Sequence, residues 1–325
     1  MIPSHAPFSP RPPWLGGTLQ TLRALRWPFA ARLTPGHRLW LPLADGDALA
    51  AMLHLPPLVL EPARPLAVLV HGLTGSEEDP YLRDAAAGLL RRGFPVLRLN
   101  LRGSGPSLPR STSHYHLGRA GDLQEALAAL PAMLTGQGVV LAGWSLGGAL
   151  VLNLLGRDTA GLPPVLGAAA IGPPLQPELA FRTIDANPLF GRALLALYRR
   201  EVLAVPAVDL PESLRQAARR ASSLVEFEAT VTAPRFGYPS YAVYCEVNRP
   251  AAALPQIRVP TLVVMAADDP LVPIESLAGI DWAACPAVAP LAVEGGGHCG
   301  FYDRRQDEPL SLRAMAAFFE GLRKG

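Results

Sequence analysis

Three side chains have the types and chain order that nucleophilic acyl chemistry needs: Ser145, Asp269 and His298. Ser145 stands in Gly143-Trp144-Ser145-Leu146-Gly147, Asp269 in Asp268-Asp269-Pro270-Leu271-Val272-Pro273, and His298 in Glu294-Gly295-Gly296-Gly297-His298-Cys299-Gly300-Phe301. A serine hydroxyl is a weak nucleophile at neutral pH, so it needs a base, and the base needs an acid to fix its tautomer. His298 is the candidate base towards Ser145 and then the acid towards the leaving group. Asp269 is the candidate orienting carboxylate. Asp268 is its rival; the choice falls on Asp269, directly before Pro270, and leaves Asp268 as a turn or N-cap residue.

Gly-x-Ser-x-Gly also arises by chance in glycine-rich loops, so its flanks decide. Here Val139-Val140-Leu141-Ala142 leads in as a buried strand, and Gly148-Ala149-Leu150-Val151-Leu152 leads out as an apolar helix. That is the context of a nucleophile elbow, in which the serine is lifted from a tight strand-to-helix turn and the flanking glycines relieve the crowding. The helix start also favours an oxyanion beside the serine. Two backbone N–H groups are candidate oxyanion donors: that of Leu146, after the nucleophile, and that of Leu73, in the earlier loop His71-Gly72-Leu73-Thr74-Gly75-Ser76. His71 is expected to hold this loop by a hydrogen bond rather than to move a proton. His116, in Tyr115-His116-Leu117-Gly118, has no partner at ligand spacing and is left out of the site, and Cys299 reads as a small buried neighbour of His298. No metal and no cofactor is called for.

The elements that must position these residues alternate. Strands are expected at 37–43, 48–55, 65–70, 95–100, 165–171, 260–265 and 288–293 besides the one entering the elbow, with helices near 81–92 and after Gly121 and a closing amphipathic helix through Leu312, Met315, Phe319 and Leu322. Asp45-Gly46 joins the first pair as a hairpin. Asp122 reads as the N-cap of its helix. Strand, helix, strand in this order predicts an α/β fold with a mostly parallel central sheet flanked by helices. Ser145, Asp269 and His298 then follow the C-terminal ends of strands, where such sheets place their sites.

The stretch 172–255 is too long for an ordinary connection and is expected to be a helical cap inserted late in the sheet, with helices near 188–203 and 211–224 and aromatic-rich loops around Phe236, Tyr238, Tyr241 and Tyr244. The expected organisation is an N-terminal arm at 1–36, a core at 37–171 and 256–325, and the cap between. Trp14, Leu15, Leu19, Leu22 and Leu25 line one face of a helix in the arm, expected to pack on the core; weak contact with a membrane surface is the alternative.

At 325 residues, 50% hydrophobic, the chain buries a large core, and a net charge of +2 gives no reason for a nucleic-acid partner. Cys245, Cys285 and Cys299 are odd in number and far apart, which suits a reducing cytoplasm. The N-terminal stretch has no basic segment leading into an apolar one, so no secretory signal is read there. The uncharged span 126–156 mimics a membrane helix, but Pro131, Gly136 and Gly138 break it.

These motifs resemble those of the α/β-hydrolase superfamily, and within it the YheT-like branch that includes ABHD-type eukaryotic hydrolases and the yeast ethyl-ester synthases. The likeness runs through Phe8-Ser9-Pro10, Leu19-Gln20-Thr21, Asp45-Gly46-Asp47, His71 to Ser76, Asn100-Leu101-Arg102-Gly103-Ser104-Gly105, Tyr115 to Gly118, Gly143 to Gly148, Asp268-Asp269-Pro270 and Gly296 to Phe301. It implies an α/β-hydrolase fold and a cofactor-free serine esterase or lipase-like enzyme with Ser145, Asp269 and His298 as its triad. Trp144 departs from the Phe often found at that position of the family. The expected substrate is a small-molecule carboxylic ester with a short-to-medium acyl chain; Phe190, Leu194, Leu195, Leu197, Phe227 and Phe236 of the cap are candidates for its acyl pocket, and an ordinary core explains them as well. The alternatives are an alcohol O-acyltransferase or phospholipase on the same triad and, from another class, a non-catalytic acyl-binding protein.

Overall fold

In the computed structural model, which describes residues 7–27, 33–57, 63–205, 210–304 and 306–322, the apolar runs pair into one eight-stranded sheet. In chain order the elements before the serine are α1 (Gly17–Arg26), β1 (Gly36–Pro42), β2 (Ala48–His54), β3 (Leu66–Val70), α2 (Pro80–Arg91), β4 (Val96–Leu99), α3 (Ala120–Ala128), α4 (Ala132–Thr135) and β5 (Val139–Trp144). After it come α5 (Leu146–Leu155), β6 (Val165–Ile171), α6 (Pro177–Ala186), α7 (Phe190–Ala204), a run of shorter helices, β7 (Thr261–Ala266), β8 (Val288–Val293) and a last helix, Leu310–Gly321.

The strand order is β1-β2-β4-β3-β5-β6-β7-β8. The first two pairings are antiparallel and the rest parallel, as crossovers through helices require. Every residue of β3 and β5 is buried, which is why both read as unbroken apolar runs rather than alternating ones. Register then fixes neighbours at the strand ends. Val70 pairs with Gly143 and Trp144 with Ile171, so the loop after β3, the elbow after β5 and the loop after β6 emerge side by side. Among the described residues no helix is long and apolar enough to cross a membrane. The uncharged span divides into the end of α3, then α4, β5 and α5.

Several local expectations change. Asp122 is not a cap: α3 begins at Ala120, and Asp122 lies in its first turn. Its two carboxylate oxygens instead accept from Arg102 Nε at 2.8 Å and Nη2 at 2.9 Å, while Arg102 Nη1 donates to Asp45 at 2.7 Å and to Asp47. A planar five-donor guanidinium suits such a shared site, and a long-range pair of this kind leaves no local sequence signal. The aromatic stretch is also less loop-like than expected, because Tyr241 and Tyr244 lie on the helix Tyr241–Val247, whose N-cap Ser240 accepts from the Val243 N–H at 3.2 Å. Helix α6 was not foreseen; Pro177 at its first turn and Glu178 behind it are its start signals.

The leucine stripe of the N-terminal stretch splits: Leu22 packs against the core while Leu19 is exposed. Residues 1–6 and 28–32 of that stretch lie outside the described residues. Helix α1 buries Gln20, Thr21 and Ala24 against the core and leaves Leu19 exposed, as is Leu15 ahead of the helix. Polar side chains face inward because backbone groups of the loop after β8 are there to bond them.

Arg102 is 2% exposed and pairs with three carboxylates, of which Asp47 and Asp122 are buried, so its loss strands buried charge. Arg102→Met is expected to cost about 3–5 kcal/mol in urea unfolding. A loss below about 1 kcal/mol, the scale of a surface pair, would contradict this account of the cluster.

Candidate functional site

The elbow is built by crowding. Ser145 has φ 51° and ψ −121°, where a side chain is strained. A Cβ on Gly143 would lie 2.3 Å from the Gly147 carbonyl oxygen, and one on Gly147 2.4 Å from that of His71, so the two glycines of the motif answer a close backbone approach. The Ser145 N–H is fixed to the Ile171 carbonyl at 2.8 Å. Leu146 opens α5, so its N–H has no carbonyl partner within the helix and stands at the positive end of the helix dipole.

The loops after β7 and β8 meet at this point. His298 Nδ1 and Asp269 Oδ2 are 2.8 Å apart, with side chains 7% and 1% exposed. The other oxygen, Asp269 Oδ1, accepts the N–H groups of Leu271 at 2.8 Å and Val272 at 3.0 Å, which fixes the carboxylate's orientation. Burial opposes a charged imidazole, but the Asp269 carboxylate outweighs it and holds the His298 pKa well above its ordinary value. Asp268 does different work. Its Oδ1 accepts the Gly297 N–H at 2.8 Å and ties the two loops together one residue before His298.

The loop after β3 is held at several points. His71 Nε2 accepts the Leu101 N–H at 3.0 Å, which leaves Nδ1 to donate to the Gly72 carbonyl at 2.7 Å. Burial pushes its pKa down to about 4, so it stays neutral. The Gly72 N–H donates to Tyr81 Oη at 3.0 Å, and Tyr81 Oη donates to Asp79 at 2.6 Å. Leu73 lies between Gly72 and Thr74, whose N–H donates to Tyr115 Oη at 2.7 Å.

Ser145, His298, Leu73, Leu146 and Cys299 all line one cavity of about 320 Å³. Its apolar walls come from Leu22 and Leu25 of α1, Phe181 of α6, and Phe190, Leu194 and Leu197 of α7. Of the candidates for an acyl pocket, Leu195 and Phe227 are instead buried in the core, and Phe236 stacks on His116 with centroids 4.1 Å apart. They follow the helix faces that pack inward, which a composition-based reading does not separate from the cavity face. His116 is buried and accepts the Gly118 N–H at 3.0 Å.

Thr21 and Gln20 were missed. Thr21 Oγ1 accepts the His298 N–H at 2.8 Å and donates to the Gly17 carbonyl at 2.7 Å; Gln20 Oε1 accepts the Tyr302 N–H at 2.8 Å. Two uncharged polar residues between leucines on a helix were the available signal. Thr21→Val keeps the shape but leaves a buried N–H without an acceptor, so a loss of about 1–3 kcal/mol is expected in denaturant unfolding. A change within about 0.5 kcal/mol would show that the contact is dispensable.

With the geometry in place, likeness to known proteins acquires meaning. The family model described as alpha/beta hydrolase fold matches residues 65–305. Medium-chain fatty acid ethyl ester synthase/esterase 2 of Saccharomyces cerevisiae is 27% identical over 283 residues, covering 78% of this chain and 62% of the yeast protein. The chain thus spans about three fifths of that relative's length. YheT of Escherichia coli is 28% identical over 305 residues, covering 92% of this chain and 88% of that protein. An esterase of Pyrococcus furiosus has a TM-score of 0.58 at 15% identity, covering 89% of this chain and 93% of that one, a likeness of fold alone. The family match and these likenesses place the chain in the alpha/beta-hydrolase family, among proteins of the YheT/ABHD type.

Proposed function

We propose that this chain is a serine hydrolase of carboxylic esters with short-to-medium acyl chains. The observation that carries the reading is the 2.8 Å contact of His298 Nδ1 with the buried Asp269, where His298 lines the same cavity as the strained Ser145. In the proposed reaction His298 takes the Ser145 hydroxyl proton as Oγ attacks the ester carbonyl carbon. The oxyanion is met by the Leu73 and Leu146 N–H groups. Collapse breaks the ester C–O bond, and His298 gives its proton to the leaving alkoxide. Water, losing a proton to His298, then attacks the acyl carbon; collapse breaks the bond to Oγ, which takes that proton back from His298 as the acid leaves. A cavity of about 320 Å³ lies at the small end of the range for ligand sites, which suits a short-to-medium chain.

In the same reading residues 172–255 form a cap over the strand ends, 1–36 an arm and the remainder the core; the buried thiols of Cys245, Cys285 and Cys299 suit the cytoplasm. A second reading, acyl transfer to an alcohol, is favoured by the apolar cavity lining, which disfavours water as the acceptor. The yeast relative's name joins ester synthesis and esterase activity.

Hydrolysis of p-nitrophenyl esters across acyl length is expected for the wild type and to drop by about 10³-fold or more in Ser145→Ala. Equal rates for the two proteins would leave a non-catalytic acyl-binding protein. With ethanol present, free acid as the only product would remove the transfer reading.

The pH dependence has a definite sign. The base acts when neutral and Asp269 raises its pKa, so kcat/KM rises with pH along a limb above the ordinary histidine value of 6.5. Asp269→Asn is expected to lower kcat by about 10⁴-fold and to move that limb down. A wild-type limb below 6.5, or one unmoved by the substitution, would contradict the assignment.

A further inference from the structure

A hydrogen-bonded chain joins α7 to the loop after β3, and none of its members belongs to the proposed triad. Thr74 has φ 59°, a left-handed conformation that β-branched residues rarely adopt. Its N–H donates to Tyr115 Oη at 2.7 Å, and Tyr115 Oη donates in turn to Glu201 Oε2 at 2.7 Å. Tyr115 is 1% exposed, and its carbonyl accepts from Tyr198 Oη at 3.2 Å. Tyr198 and Glu201 both belong to α7 and stand on neighbouring positions of one face. The helix therefore grips Tyr115 at its backbone and at its hydroxyl.

The same helix forms a wall of the cavity. Phe190, Leu194 and Leu197 line it, and helical spacing carries that stripe to Glu201, one turn beyond Leu197. One rigid element thus touches both the space for the acyl group and the support of the loop that carries Leu73. Burial pushes the Glu201 carboxyl up to about 7, with the Asp79 carboxylate adding to the effect. Either protonation state can accept from a phenol, so the chain does not depend on a charge at Glu201.

We propose that Tyr115 and Glu201 are positioning residues for the oxyanion hole. By holding the Thr74 N–H, the Thr74–Tyr115–Glu201 chain fixes the Leu73–Thr74 peptide, the unit that follows the Gly72–Leu73 peptide bearing the Leu73 N–H, and so restricts how that N–H can turn about Leu73. The inference rests on the ester-hydrolase reading. A donor counts in the transition state only when aimed at the place where the oxyanion forms, whereas an apolar acyl chain binds without it. Loss of the chain should therefore fall on kcat and spare KM.

The test is steady-state hydrolysis of p-nitrophenyl esters by the whole chain, with thermal midpoints, for the wild type, Ser145→Ala, Tyr115→Phe, Glu201→Leu and Glu201→Gln. Tyr115→Phe and Glu201→Leu are each expected to lower kcat about tenfold, a fraction of what a lost oxyanion donor costs, with KM changed less than about twofold. Glu201→Gln keeps an acceptor oxygen and is expected to retain about half of the wild-type kcat or more. The proposal is overturned by an unchanged kcat in Tyr115→Phe, by a loss confined to KM, or by Gln falling as far as Leu at position 201. Should Tyr115→Phe fail to fold, the Leu and Gln variants decide alone. Equal rates for the wild type and Ser145→Ala would instead remove the ester-hydrolase reading itself, and the inference with it.

Discussion

The backbone of Ser145, at φ 51° and ψ −121°, costs on the order of 1–3 kcal/mol and persists only where the surroundings over-determine it. They do so here from several sides. β5 is paired with β3 on one edge and β6 on the other, the Ser145 N–H is bound by the Ile171 carbonyl, and its carbonyl takes the Ala149 N–H at 3.0 Å as the start of α5. The strain is therefore carried by a sheet with little freedom to relax. Glycines at 143 and 147 are what let backbone approach so closely there.

Around this fixed point the other loops are aimed by polar groups from distant parts of the chain. Asp269 is set by two backbone N–H groups, the His298 backbone by Thr21 of α1 and, one residue earlier, Gly297 by Asp268. The loop after β3 is set by neutral His71, by Tyr81 and by Tyr115. Most of these supports are buried hydrogen bonds whose loss leaves an unsatisfied group, and those from Tyr115 and Asp268 are partly buried, so the arrangement is stiff as well as specific. Reactive geometry tolerates little error, since a displacement near 1 Å can cost about a hundredfold in rate.

The sheet was legible because its central strands are buried on both faces and read as apolar runs, and because strand and helix alternate along the chain. The loops bearing Ser145, Asp269 and His298 were legible for the same reason: each follows a recognisable strand. What the sequence hid depends on tertiary contact. Nothing local marks Thr21 as a partner of His298, Asp122 as a partner of Arg102, or Glu201 as a partner of Tyr115, since each pair joins distant segments. Asp268 and Asp269 are adjacent, yet one faces Gly297 and the other His298, a separation that only the fold makes. The helix at Tyr241–Val247 hid behind aromatic composition, although Ser240 is an ordinary N-cap signal.

The claim at the centre of this account is that Ser145, and no other residue, is an activated nucleophile. Incubation with a fluorophosphonate followed by peptide mass spectrometry tests it directly. The account predicts one adduct, on the peptide containing Ser145, absent in Ser145→Ala and formed more slowly in Asp269→Asn. A wild-type protein that takes up no reagent, or takes it up at another residue, would contradict it.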